Sequence, residues 1–218
     1  MKAIVFDLDG TLVDSVPDLH DTANRLLAAH DCAPLELTQV RSFVGNGIPV
    51  LVEKICRAAD LTFNESNREA IIGEYLSTYD LVLEDKNTQP FPGVTSCLES
   101  LKAKGLVLGL CTNKPEAPTR IILMDLGFEA FFTKVIGGDT LPQRKPSPEP
   151  LWVSYEGFDL KDCLFVGDSE VDAATAAAAG VDCALYADGY RQTPLDELPH
   201  AFSFTDFSQL LAYVESKL

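Results

Sequence analysis

Two aspartates separated by one leucine, Asp7-Leu8-Asp9, follow the apolar run Ala3-Ile4-Val5-Phe6 and precede Gly10. A short run rich in β-branched and aromatic residues, stopped by a glycine, reads as a buried strand with the aspartates at its C-terminal end. Alternation along an extended chain points both carboxylates the same way. Like charges that close to an apolar wall are costly unless hydrogen bonds or a cation compensate, and a divalent metal is the natural partner. Similar groups recur after later apolar runs: Thr112-Asn113-Lys114, Arg144-Lys145, and Asp168 with Asp172 four residues on. Brought together, a hydroxyl, ammonium groups and carboxylates would handle an anion beside a cation.

The elements that must position these groups fall into two patterns. Between Asp18 and Ala29 the residues Leu19, Ala23, Leu26 and Leu27 lie at helical spacing, with Pro17 and Ser15 or Asp18 as start signals. Helical patterns follow at Leu37–Phe43, Ile48–Ala59 and Glu65–Leu83, with no strand signal between them. Residues 15–85 therefore read as an inserted helical cap, and the polar, proline-rich return contains a hinge at residues 86–89. From Val94 helices alternate with apolar strands at Leu106–Cys111, Lys134–Ile136, Cys163–Val166 and Val181–Tyr186, and a last helix covers Phe207–Lys217. That alternation predicts an α/β core of residues 1–14 and 90–218, a Rossmann-like parallel sheet covered by helices on both faces. Ligands of such sheets bind outside the carboxyl ends of the strands, which is where the polar groups fall.

The chain has 218 residues and a formal net charge of −16. That charge argues against nucleic-acid or anionic-membrane partners, and no run is long or apolar enough for a membrane span or a signal peptide. Six scattered cysteines without a Cys-x-x-Cys pair read as unpaired thiols, and a cytoplasmic location is expected. Any anionic small molecule would need positive charge concentrated locally, by a metal and a few lysines or arginines.

Asp7-Leu8-Asp9-Gly10-Thr11 resembles motif I, Asp-x-Asp-x-Thr, of the haloacid dehalogenase superfamily of phosphotransferases. Thr112, Lys145 and Gly167-Asp168-Ser169-Glu170-Val171-Asp172 stand in the order and context of its remaining motifs, so the resemblance covers nearly the whole chain. It implies that Asp7 attacks phosphorus and Asp9 serves as general acid and base. It further implies that Mg2+ is held by Asp7, Asp168 and the backbone carbonyl of Asp9, with Thr112 and Lys145 on the phosphoryl group and Asp172 in support. Dehalogenases of the superfamily lack the acid at the place of Asp9, so its presence favours phosphate esters.

Phe43-Val44-Gly45-Asn46-Gly47 in the cap, the opening stretch through Leu19 and Cys111-Thr112-Asn113-Lys114-Pro115 look like bacterial phosphoglycolate phosphatases. The partner implied is a small phosphate ester that also carries a carboxylate, which Arg41, Asn113, Lys114 and the amides near Gly47 could meet. The chain departs from the common Gly-Asp-Ser-Arg-Asn-Asp by having Glu170 and Val171. The alternatives are another capped phosphatase or a β-phosphoglucomutase-like sugar phosphomutase, and, in a different class, a receiver-like module carrying a stable phosphoaspartate. A receiver needs no cap. The protein is expected to be a monomer or a homodimer.

Overall fold

The computed structural model describes residues 1–218. Its centre is a six-stranded, all-parallel sheet of β1 (Ala3–Phe6), β4 (Val107–Cys111), β5 (Phe132–Ile136), β6 (Cys163–Gly167), β7 (Asp182–Tyr186) and β8 (Phe202–Phe204). The strand order is β5-β4-β1-β6-β7-β8, so β1 is flanked by β4 and β6 and the order reverses beside it. The crevice at such a reversal, beyond the strand ends, is where an α/β sheet takes its ligand.

Side-chain alternation divides the interior. Ile4, Phe6, Leu108, Leu110, Leu164 and Val166 face α5 (Val94–Ala103), α6 (Glu116–Asp125) and α9 (Phe207–Glu215) within a cluster of 40 buried residues. Ala3, Val5, Phe165 and Cys183 face α7 (Glu149–Ser154) and α8 (Glu170–Ala179) within a second cluster of 13. The Rossmann-like architecture expected from the alternating pattern is the one observed. All six cysteines are free thiols.

Between β2 (Val13–Asp14) and β3 (Gln89–Pro90) the chain is helical: α1 (Val16–Ala29), α2 (Leu37–Arg41), α3 (Ile48–Ala58) and α4 (Arg68–Leu83). α1 packs on the other three. The chain leaves and returns along one antiparallel ribbon, with Val13 opposite Pro90. Asp18, buried in α1, accepts from both the amide and the hydroxyl of Thr88 at 2.9 and 2.5 Å, fastening the returning strand to the first helix.

Several element bounds differ from the sequence reading for local reasons. α4 begins at Arg68 because Asn64 and Asn67 close a side-chain-bonded turn ahead of it. β5 starts at Phe132, two residues early; the polar Thr133 and Lys134 interrupt the apolar run where the register against β4 shifts. β8 and the β2–β3 ribbon, of three and two residues, are too short to leave a periodic signal.

Candidate active site

The carboxyl ends of β1, β4 and β6 and the loop after β5 converge on one buried cluster. Asp7 continues β1, its amide donating to Val166 O at 2.8 Å, and its carboxylate lies on the α7–α8 side of the sheet. The ammonium of Lys145 sits between Asp7 Oδ1 at 2.9 Å and Asp172 Oδ1 at 2.6 Å, and 5.4 Å above the Phe165 ring. One ammonium is thus shared between the two carboxylates. Burial works against the Lys145 ammonium, but the charges of Asp172 and Asp7 outweigh it and raise its pKa above the ordinary lysine value.

Asp172 is fully committed. Its Oδ2 accepts from the amides of Asp168 and Ser169 at 3.2 and 3.1 Å and from the Ser169 hydroxyl at 2.7 Å, which closes the N-terminus of α8 as a capping box. Asp168 accepts from Thr11 Oγ1 at 2.9 Å and from the amide of Tyr190 at 2.6 Å. Two glycines make room for it. A Cβ on Gly10, which adopts φ +89°, would stand 2.5 Å from Asp168 Oδ2, and one on Gly189 would stand 2.3 Å from Asp168 Cβ.

Burial, with the charge of Asp172 added and that of Lys145 opposing, pushes the Asp7 carboxyl up to about 7. Burial and the charges of Asp172 and Asp7 push Asp168 well above the usual carboxylate range. Both shifts mark charge that a cation would relieve. Oxygens of Asp7, Asp168 and Asp172 lie within 4.8 Å of one another. With Asp172 occupied by Lys145 and by amides, Asp7 and Asp168 are the carboxylates suited to a divalent ion.

Asp9 has different partners on the same cavity. Lys114 Nζ touches both its oxygens at 2.9 and 3.0 Å, and Ser15 Oγ donates to Oδ1 at 2.5 Å. With the carboxylate so engaged, only its main-chain carbonyl remains for the metal role implied by the resemblance. Asp7, Asp9, Thr112, Asn113 and Lys114 line a cavity closed by Leu19, Val44, Gly45, Gly47, Ile48 and Leu51. Its free volume of about 30 Å³ holds about one or two waters. Asn113 Nδ2 donates to Gly45 O and to Lys145 O, both at 3.0 Å, and joins the helical segment to the lysine loop.

The structure thus brings Asp7, Asp9, Thr112, Asn113, Lys114, Lys145, Asp168 and Asp172 to one place, with Gly47 on the cavity wall. Arg41 is the exception. Its guanidinium donates to Asp188 O and Gly189 O at 3.2 and 2.9 Å and lies 5.2 Å over the Tyr190 ring, so it does not reach the cavity where the sequence reading put it. Sequence reasoning also passed over Ser15 and Tyr190. Tyr190 lies in the loop after β7, four residues past Tyr186, within reach of the strand-end rule.

The profile of the family "Haloacid dehalogenase-like hydrolase" matches residues 4–186. Phosphoglycolate phosphatase from Cereibacter sphaeroides is 42% identical over 210 residues, covering 96% of each chain. Its counterpart from Rhodobacter capsulatus is 42% identical over 98% of this chain and 96% of its own. A crystal structure from Haemophilus somnus, described as a predicted phosphoglycolate phosphatase, superposes with a TM-score of 0.88 at 31% identity, covering 98% of both chains. CbbY from Rhodobacter sphaeroides in complex with phosphate, 18% identical over 96% of both chains with a TM-score of 0.81, shares the fold. The chain belongs to the haloacid dehalogenase-like hydrolases and, within them, is a phosphoric monoester hydrolase resembling the phosphoglycolate phosphatases.

Proposed function

We propose that this phosphatase hydrolyses 2-phosphoglycolate, or a close analogue carrying a second anionic group, through an aspartyl-phosphate on Asp7. The observation that carries the mechanism is Asp7 itself, a buried strand-end carboxylate 2.9 Å from the Lys145 ammonium and on a cavity shared with Asp9 and Thr112. The names of relatives 42% identical over nearly the full chain support the substrate.

Four carboxylates, Asp7, Asp9, Asp168 and Asp172, face two ammonium groups, Lys114 and Lys145, which leaves two negative charges uncompensated when all are ionised. Asp7, Asp168 and the Asp9 carbonyl would hold Mg2+, whose Lewis acidity when bound would offset the repulsion between carboxylate and phosphate. Lys145 and the Thr112 hydroxyl bind phosphoryl oxygens. Asp7 forms a bond to phosphorus as the ester oxygen leaves, and Asp9 delivers the proton that oxygen needs. Asp9 then takes a proton from water, the oxygen of that water displaces Asp7 from phosphorus, and inorganic phosphate is released. Lys114 and the turn at Gly45–Gly47 meet the carboxylate of the substrate.

Residues 15–85 act as a lid turning on residues 86–89, and the free thiols accord with a cytoplasmic enzyme. A panel of 2-phosphoglycolate, glucose 1-phosphate, pyridoxal phosphate and phosphonoacetaldehyde, with Mg2+ and with chelator, tests the reading. Mg2+-dependent phosphate release with the first ester preferred is expected. Equal turnover of all esters would defeat the specificity, sugar phosphate interconversion without release would indicate a mutase, and a stable phosphoprotein a receiver.

A further inference from the structure

One peptide group is gripped from both ends. The carbonyl of Gly189 accepts from Arg41 Nη2 at 2.9 Å, and the N–H of Tyr190, in the same planar unit, donates to Asp168 Oδ2 at 2.6 Å. Arg41 closes α2, among the helices above the sheet, whereas Asp168 stands at the end of β6. The segment that carries this peptide is held on three further sides. The Tyr190 hydroxyl donates to Asp14 Oδ1 at 2.7 Å and accepts from the amide of Ser15 at 2.9 Å, where the chain passes from β2 into α1. The Tyr190 ring receives the Arg41 guanidinium. Glu170 Oε1 accepts from the amides of Gln192 at 2.7 Å and of Thr193. Glu170 is one of the two residues by which the chain departs from the common motif, and here it is an anchor for the Tyr190 segment.

We propose that the Gly189–Tyr190 peptide couples docking of the helical segment to the orientation of the Asp168 carboxylate, so that closure and divalent-cation binding strengthen each other. Arg41, Tyr190 and Glu170 are then positioning residues that touch neither substrate nor ion. The physical basis is short. A carboxylate that ligates a metal is oriented by its outer hydrogen bonds, and a hydrogen bond to one end of a peptide polarises the donor at the other. When Arg41 withdraws with its helix, the peptide loses the contact that fixes its plane, and Asp168 Oδ2 loses a preset donor. Linkage makes the effect reciprocal, so a bound cation favours the docked helices. The inference rests on the assignment of Asp168 as a metal ligand.

Titration calorimetry of Mg2+ into the full chain tests it. Arg41→Gln is expected to weaken Mg2+ binding about tenfold, the low end of the usual effect for groups behind a ligand, and Arg41→Lys to restore part of it. Tyr190→Phe keeps the peptide and ring but loses the hydroxyl contacts to Asp14, Ser15 and Val13, and is expected to fall between wild type and Arg41→Gln. Hydrogen exchange gives the reciprocal readout: Mg2+ should slow exchange of the Ser15 amide in the wild type and not in Arg41→Gln. Folded Arg41→Gln that binds Mg2+ as tightly as wild type, while Asp168→Asn does not bind, would overturn the coupling and leave the metal site standing. Undiminished binding by Asp168→Asn would overturn both.

Discussion

The Lys114 ammonium touches both carboxylate oxygens of Asp9, at 2.9 and 3.0 Å, and lies 5.1 Å above the ring of Tyr79. Burial works against this ammonium, yet the Asp9 charge and Tyr79 outweigh it and keep the lysine protonated. As charges, a substrate carboxylate and Asp9 are therefore interchangeable partners for Lys114. On the proposed reading, an ester that brings its own carboxylate would take over the lysine and release Asp9 for proton transfer, whereas an ester without one would leave Asp9 engaged.

Lys114→Met should therefore erode discrimination. Comparing 2-phosphoglycolate with ethyl phosphate, kcat/KM for the first is expected to fall about a hundredfold, the scale of one lost buried charge-assisted contact, and that for the second much less. Equal losses for both esters would show that Lys114 serves only to hold Asp9.

The pH dependence of stability follows from Asp7. Its carboxyl is pushed from 3.8 up to about 7 in the folded chain, by burial first, with the Asp172 charge adding and Lys145 opposing. Between those values the folded state holds a proton that the unfolded state has released, so the contribution of Asp7 is full below about pH 4 and is lost as pH rises through about 7. In chelator, wild type should lose stability relative to Asp7→Asn over that interval, read as the difference between urea midpoints. Mg2+ should flatten the difference, because a cation favours the carboxylate. The same Asp7→Asn chain should release no phosphate while remaining folded. A flat difference in chelator would show that burial does not hold the proton on Asp7.

Asp7, Thr112, Lys145 and Asp168 are each a polar residue just past an apolar run, or in the loop that follows one, and a parallel sheet brings all such ends to one edge. What stayed hidden were contacts between loops distant in sequence. The amide of Tyr190 meets Asp168 across 22 positions, and Arg41 meets Gly189 across 148. Neither pair leaves a periodic trace, so Arg41 was placed by its charge and its nearness to Gly47, and only the packing of α2 against the loop after β7 shows where its guanidinium goes.

Asp172→Asn should cost stability more than an ordinary surface change. The substitution leaves Lys145 with Asp7 as its sole anionic partner, and it weakens an oxygen that accepts three hydrogen bonds at the start of α8. Removing one member of a buried ion pair costs about 3–5 kcal/mol, and the remaining Asp7 contact argues for the low end, about 3 kcal/mol. Chemical denaturation would check it. A loss under about 1 kcal/mol would mean that Lys145 finds full compensation from Asp7, within the range of an exposed pair.

Two glycine-to-alanine changes should move stability in opposite directions. A Cβ on Gly189 meets buried atoms, 2.3 Å from Asp168 Cβ and 2.4 Å from Asp168 Oδ2, so the loop after β7 or the carboxylate must shift. Gly189→Ala is expected to cost about 1–3 kcal/mol, the scale of an overpacked interior, and to weaken Mg2+ binding because the carboxylate is displaced. Gly73 lies exposed within α4 with nothing near the place its Cβ would take. Gly73→Ala should therefore stabilise the chain by about 0.5–1 kcal/mol, the difference in helix propensity, and leave Mg2+ affinity unaltered. Calorimetric melting and Mg2+ titration of both variants separate a local collision at Asp168 from a general intolerance of the fold. Gly189→Ala with wild-type stability and affinity would show that the loop after β7 yields freely, and would remove the close packing on which the orientation of Asp168 depends.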